Sequence, residues 1–144
     1  MMSHAVLERE SHETDDRHPA RRWWSWGVVT VYWLGMFGGT HWPTPPHTPF
    51  GNADKWMHFG AYSGLALLLS IAIGMRRPVS LAVGLAIVVL LAGYGAFDEV
   101  TQPLFGRDCD FWDWVADLTG VLVGISCFWL AALARRPWSS RVTG

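Results

Sequence analysis

Charge is scarce in this chain. Asp, Glu, Lys and Arg make up 16% of its 144 residues, against about a quarter in ordinary soluble domains. No basic cluster is interleaved with aromatics, so the electrostatic footprint of a nucleic-acid binder is missing. Cysteine is scarcer still, with only Cys109 and Cys127. A helical stretch of that spacing is roughly 27 Å long, beyond the reach of a disulfide unless the chain turns back. Both are therefore read as free thiols. No small-x-small cleavage site follows the first apolar stretch, which fits an uncleaved segment and not a signal peptide. There is no HExxH or comparable metal signature. Ser63 and Ser70 have no histidine and acid arranged around them as a hydrolytic triad would require.

What the chain has instead is apolar length. Half of it is hydrophobic, it carries ten tryptophans, and its mean hydropathy is +0.19. Four apolar segments emerge: Trp23 to Thr40, Met57 to Met75, Val79 to Phe97, and Trp112 to Leu133. Each approaches the roughly 17–25 residues that cross a bilayer as a helix. Gly35, Gly38 and Gly39 thin the far end of the first and predict close packing there. Residues 41–53 hold four prolines and read as a loop, after which Asn52 or Asp54 is placed to cap the next helix. Residues 1–22 are polar, with no apolar period, and read as a disordered tail. Its scattered histidines His4, His12 and His18 read as solvated and not as a metal site. Residues 23–134 then form one four-helix membrane domain, and 135–144 a short tail.

Arginine sets the expected topology. Arg21–Arg22, Arg76–Arg77 and Arg135–Arg136 all flank segments on one side, and the positive-inside rule puts that side in the cytoplasm. Both termini are then cytoplasmic. The 41–56 and 98–111 connections lie outside, with Lys55 and Arg107 as their basic residues. Trp23, Trp24, Trp26 and Trp138 fall at the inner interface, and Trp42, Trp56, Trp112 and Trp114 at the outer one, as aromatic belts do. The predicted class is all-α, a four-transmembrane-helix bundle in a bacterial cytoplasmic membrane.

The informative residues are polar ones in apolar company. Asp54, His58 and Tyr62 are spaced by four and share a helix face. Asp98, Glu99 and Gln102 follow the third segment directly, and Pro103 stops any helical extension. Asp110, Asp113, Asp117, Gly120 and Gly124 share one face of the fourth, so a carboxylate stripe runs into a glycine stripe. Such a stripe belongs in the bundle interior. A carboxylate near mid-helix costs about 2.5–3.5 kcal/mol on insertion scales, so Asp117 needs a partner, and Arg107, Lys55 and His58 are the candidates. A purely structural role is the competing explanation, since Asp54, Asp110 and Asp113 stand where helix N-termini favour carboxylates. It accounts poorly for Asp98, Glu99 and Asp117 together.

The run D-K-x-x-H-x-x-x-Y from Asp54 to Tyr62 resembles the first motif of the VanZ-like family. D-E-x-x-Q followed by G-R-x-x-D-x-x-D-x-x-x-D-x-x-G resembles its second, with Asp98, Glu99, Gln102, Gly106, Arg107, Asp110, Asp113, Asp117 and Gly120 in register. This chain differs in having Thr101 where histidine is common, Phe105 in place of a proline, and Asp117 in place of asparagine. The resemblance implies a small bacterial membrane protein. The family's founding member is linked to low-level resistance to the glycopeptide teicoplanin.

Three functions follow as expectations. The first is an accessory envelope protein whose outward polar pocket binds an envelope-lipid or cell-wall-precursor head group. That pocket comprises Asp54, Lys55, His58, Tyr62, Asp98, Glu99, Gln102, Arg107, Asp110, Asp113 and Asp117. The second is a membrane enzyme on such a precursor, with Asp98 or Glu99 as base, His58 as acid/base partner and Arg107 as anion clamp. The third, a transporter, is disfavoured because the two hairpins share one orientation and form no inverted repeat. A divalent cation is a further candidate for the carboxylates, and His58 would shift its identity towards zinc or manganese.

Overall fold

A computed structural model describes residues 18–43 and 52–135. The expected tail over residues 1–17, most of the proline-rich connection and the residues after 135 lie outside these. Within them the fold is all-helical. Helices α1 (His18–Thr40), α2 (Ala53–Gly74), α3 (Leu81–Thr101) and α4 (Phe111–Ala134) follow in order, with a 3₁₀ turn, Gln102–Phe105, after α3. Three of them, α2, α3 with its 3₁₀ extension, and α4, are long and apolar enough to cross a membrane. Helix α1 is not among these three, although it runs 23 residues. It begins at His18, five residues earlier than expected, because a proline at the first helical turn is tolerated and Ala and Arg extend a helix well.

Helices α2 and α4 form the central pair. The glycine stripe of α4 makes this possible, since a Cβ at Gly120 would meet the carbonyl oxygen of Phe59 and one at Gly124 that of Ser63. Backbone lies directly against backbone along this seam, as small residues permit between membrane helices. Helix α1 packs on α2 and α3 packs mainly on α4. The Tyr32 ring lies over Gly64, where a Cβ would strike its hydroxyl, and that hydroxyl donates to Ala61 O at 3.1 Å. Between α3 and α4, Trp114 Nε1 donates to Ala92 O at 2.9 Å and Trp129 Nε1 to Val79 O at 3.0 Å. Trp114 thus clasps α3 to α4, while Trp42, Trp56 and Trp112 are exposed as a belt requires. The expected close packing at Gly35, Gly38 and Gly39 is not found among the described residues, none of which lies within 4 Å of a Cβ built at any of them.

The helix ends position the site. Helix α3 carries Asp98 and Glu99 as its last full turn. Pro103 at the start of the 3₁₀ turn and Gly106, at φ 77°, end it. The left-handed backbone at Gly106 favours glycine and swings Arg107 back towards α2. Asp110 caps α4, accepting from the Trp112 N–H at 2.8 Å. Asn52 holds the N-cap position of α2 but makes no side-chain cap bond; Asp54 pairs with Arg107 instead. At the opposite end, the Arg76 guanidinium stands 5.6 and 5.4 Å over the Trp23 and Trp26 rings. The start of α2 and the Arg107 turn therefore lie together at one end and the Arg76 turn at the other.

Candidate functional site

Polar side chains from all four helices meet at the Asp54 end. His58, Asp98, Glu99, Gln102, Asp113 and Asp117 are between 0 and 3% exposed. Burial on that scale is costly unless each group is paired, so the partners define the site. His58 Nδ1 lies 2.9 Å from Asp117 Oδ1 and 3.7 Å from Glu99 Oε1. Of the three expected candidates, His58 is therefore the partner of Asp117. Glu99 Oε2 accepts from the Asp110 N–H at 2.9 Å, and Gln102 Nε2 donates to Glu99 Oε1 at 3.4 Å. One carboxylate of α3 thus ties the start of α4 to the interior.

An outer tier closes over this centre. Lys55 Nζ donates to Asp110 Oδ2 at 2.7 Å and to Asp113 Oδ1 at 3.1 Å. Arg107 pairs with Asp54. The Lys55 ammonium, followed by the Trp112 N–H, holds the Asp110 carboxyl below its ordinary 3.8. An acid whose folded value is lowered stabilises the fold above its unfolded value and loses that contribution as pH falls through the folded one. The expected result is that the difference in melting temperature between the native chain and Asp110→Asn stays constant near neutrality. It should shrink as pH drops below 3.8. A difference that grows on acidification would contradict the Lys55–Asp110 assignment.

Asp98 faces α1. Its Oδ1 accepts from the Thr40 hydroxyl at 3.1 Å and lies 3.5 Å from His41 Nδ1. His41 also reaches Phe37 O from Nδ1 and Thr101 Oγ1 from Nε2, each at 2.9 Å. Thr40, His41 and Thr101 were not among the residues picked from the sequence. Their one legible signal was position, since Thr40 and His41 stand at the end of the uncharged stretch that begins at Trp23 and must meet something polar there if buried. Tyr62 is fully buried beside the carboxylates, its hydroxyl within electrostatic reach of Asp117 and Asp98.

Every residue expected in the pocket is therefore at this end, in two tiers: His58, Tyr62, Asp98, Glu99, Gln102, Asp113 and Asp117 inside, and Asp54, Lys55, Arg107 and Asp110 over them. A cavity of about 170 Å³ adjoins them, lined by Thr40, Asp54, His58 and Arg107 together with Met36 and Met57. A second, apolar cavity of about 480 Å³ lies between α1, α2 and α3, running from Arg77 to Tyr94. The Tyr94 ring is 6.0 Å from that of Tyr62. The VanZ/LLP1 family model matches residues 8–132.

The chain belongs to the VanZ/LLP1 family.

No curated protein and no solved structure matches it. Family membership and three long apolar helices identify a membrane protein. In this VanZ/LLP1 chain both motifs read from the sequence supply the polar site. The first contributes one face of α2, and the second spans the end of α3, the Arg107 turn and the start of α4.

Proposed function

We propose that this protein is a four-span protein of a bacterial cytoplasmic membrane, with both termini inside and the polar site at the outer face. The site binds the anionic head group of an envelope lipid or lipid-linked wall precursor. The observation that carries this is the small cavity lined by Arg107 and His58, backed by buried carboxylates. Its 170 Å³ is below the roughly 300–1,000 Å³ of pockets for whole drug-sized ligands, a size suited to one polar group. An anion entering there would take Arg107 from Asp54 in a charge-assisted fork. The apolar cavity ending at Tyr94 offers room for a hydrocarbon chain attached to it. The arginines at 76, 77, 135 and 136 support the orientation. An effect on glycopeptide susceptibility belongs to this proposal through the precursor bound, since membership of a family does not itself assign a function.

Native mass spectrometry of the chain released from membranes tests this. Arg107→Ala is expected to weaken retention of an anionic lipid by about 10–100-fold, the range of a hydrogen bond to a charged group. Equal retention would contradict it.

A second reading is favoured by one feature. Asp117 holds His58 through Nδ1, while Nε2 is buried with no hydrogen-bond partner among the described residues. A histidine oriented by a carboxylate with its other nitrogen free is the arrangement of a general acid/base. In this reading the protein is an enzyme acting on the precursor, with His58 as the base and Asp98 and Glu99 behind it. Envelope lipids of cells expressing the native chain or His58→Gln at matched levels decide it: a species that changes with the native chain alone supports turnover, and identical profiles leave binding.

A further inference from the structure

The inner tier has more acceptors than donors. Asp98 Oδ2, Asp117 Oδ2 and Gln102 Oε1 are buried without a hydrogen-bond partner among the described residues. The two long cations are engaged in the outer tier, Lys55 with Asp110 and Asp113 and Arg107 with Asp54. Among the described residues, the cation-forming side chains paired with the carboxylates of Asp98, Glu99 and Asp117 are the two histidines His58 and His41. Three donor atoms in this tier converge: His58, Glu99 and Asp117 each bring a ligand-type atom within 4.8 Å of the others.

We propose that His58, Glu99 and Asp117 bind one divalent transition-metal ion. The separations of His58 Nδ1 from Asp117 Oδ1 and Glu99 Oε1, 2.9 and 3.7 Å, match this use. Ligand atoms about 2.0–2.2 Å from a common ion stand about 3–4 Å from one another. The proton shared by His58 and Asp117 and the ion are alternative occupants of the same gap. One imidazole nitrogen with two carboxylates suits zinc or manganese better than calcium. With Nδ1 on the ion, Nε2 carries the ring proton and needs an acceptor. Asp54 and Asp113, which form a second convergent group with the same histidine within 4.8 Å, are the carboxylates that a small shift would bring to Nε2, as carboxylates behind a metal-bound histidine are placed. The unpartnered Asp117 Oδ2 belongs to one of the three ligands, so the ion would compensate an oxygen that has no donor among the described residues.

The test uses the untagged full chain in detergent, with His4, His12 and His18 changed to alanine so that they cannot take up metal. After chelation, Zn²⁺ and Mn²⁺ are titrated separately and bound metal is counted by elemental mass spectrometry. The expected result is about one ion per chain at micromolar metal, reduced at least tenfold in Glu99→Gln and in Asp117→Asn and retained in Asp108→Asn, whose side chain is exposed in the turn. Circular dichroism confirms that each variant keeps its helices. If a variant does not fold, Co²⁺ added to the otherwise native chain gives a second readout, a visible absorption of a nitrogen- and oxygen-ligated ion. No uptake by the folded chain, with no Co²⁺ absorption, would overturn the site and leave the carboxylates neutralised by protons. Undiminished uptake in folded Glu99→Gln and Asp117→Asn would overturn it too.

Discussion

His58→Ala is expected to destabilise the folded chain by about 3–5 kcal/mol, the usual cost of removing one partner from a buried ion pair. Denaturation in mixed micelles, followed by tryptophan fluorescence, measures it. His58 is the cation-forming side chain nearest to Asp117 and Glu99. Deleting it leaves two buried carboxylates without a counter-charge and opens a void the size of an imidazole between α2 and α4. Both effects act in one direction. His58→Gln should cost less, because an amide can still donate to Asp117. The double variant with Asp117→Ala should lose less than the sum of the two single losses, since each single change orphans the other partner. Single losses that simply add would contradict the pairing.

The second large effect lies one turn deeper. Alanine at Gly120 or Gly124 is expected to cost about 1–3 kcal/mol, and leucine at either more than that, by overpacking. The obstacle at both positions is α2 backbone, Phe59 O and Ser63 O, which cannot move aside as a flexible side chain can. Separating α2 from α4 also stretches the His58–Asp117 bond just above. Gly93→Ala is the matched control. No described residue lies within 4 Å of a Cβ there, and alanine is the better helix former by about 0.8–1 kcal/mol. The thermal midpoint should therefore fall for Gly120→Ala and Gly124→Ala and hold or rise for Gly93→Ala. Similar midpoints for all three would show that the seam does not depend on glycine.

These two results involve the part of the molecule most legible in the sequence. On α4, helical spacing put Asp113, Asp117, Gly120 and Gly124 on a single face, and the cost of a carboxylate in an apolar phase required that face to be interior. The α2 face bearing His58 and Tyr62 followed in the same way. Where a sequence offers no periodic pattern, it was less informative. Gly35, Gly38 and Gly39 looked like a packing surface because small residues permit close approach. Permission is not contact, and the partner helices settled elsewhere. Trp114 was placed at the outer interface by its depth, and depth does not record that its indole N–H also donates to the Ala92 carbonyl. Asp98 and Glu99, adjacent in sequence, stood as interchangeable candidates for the base. Successive residues on a helix point about 100° apart, and here they serve different neighbours: Asp98 meets Thr40 and His41 from α1, Glu99 meets Asp110 and Gln102. The contribution of α1 depends on tertiary approach across a gap of almost sixty residues, which no local spacing records.

Orientation decides what the site can meet, and the chain carries its own probe of it. Cys109 is an exposed free thiol in the turn between Arg107 and Asp110, beside the polar site, while Cys127 sits on the outer face of the apolar helix α4. A membrane-impermeant maleimide applied to intact spheroplasts should label the protein, and Cys109→Ser should abolish that label. Such labelling would put the polar site at the outer face, within reach of envelope lipids and wall precursors. Labelling of Cys109 that appears only after the membrane is permeabilised would place the site in the cytoplasm and contradict the proposed function.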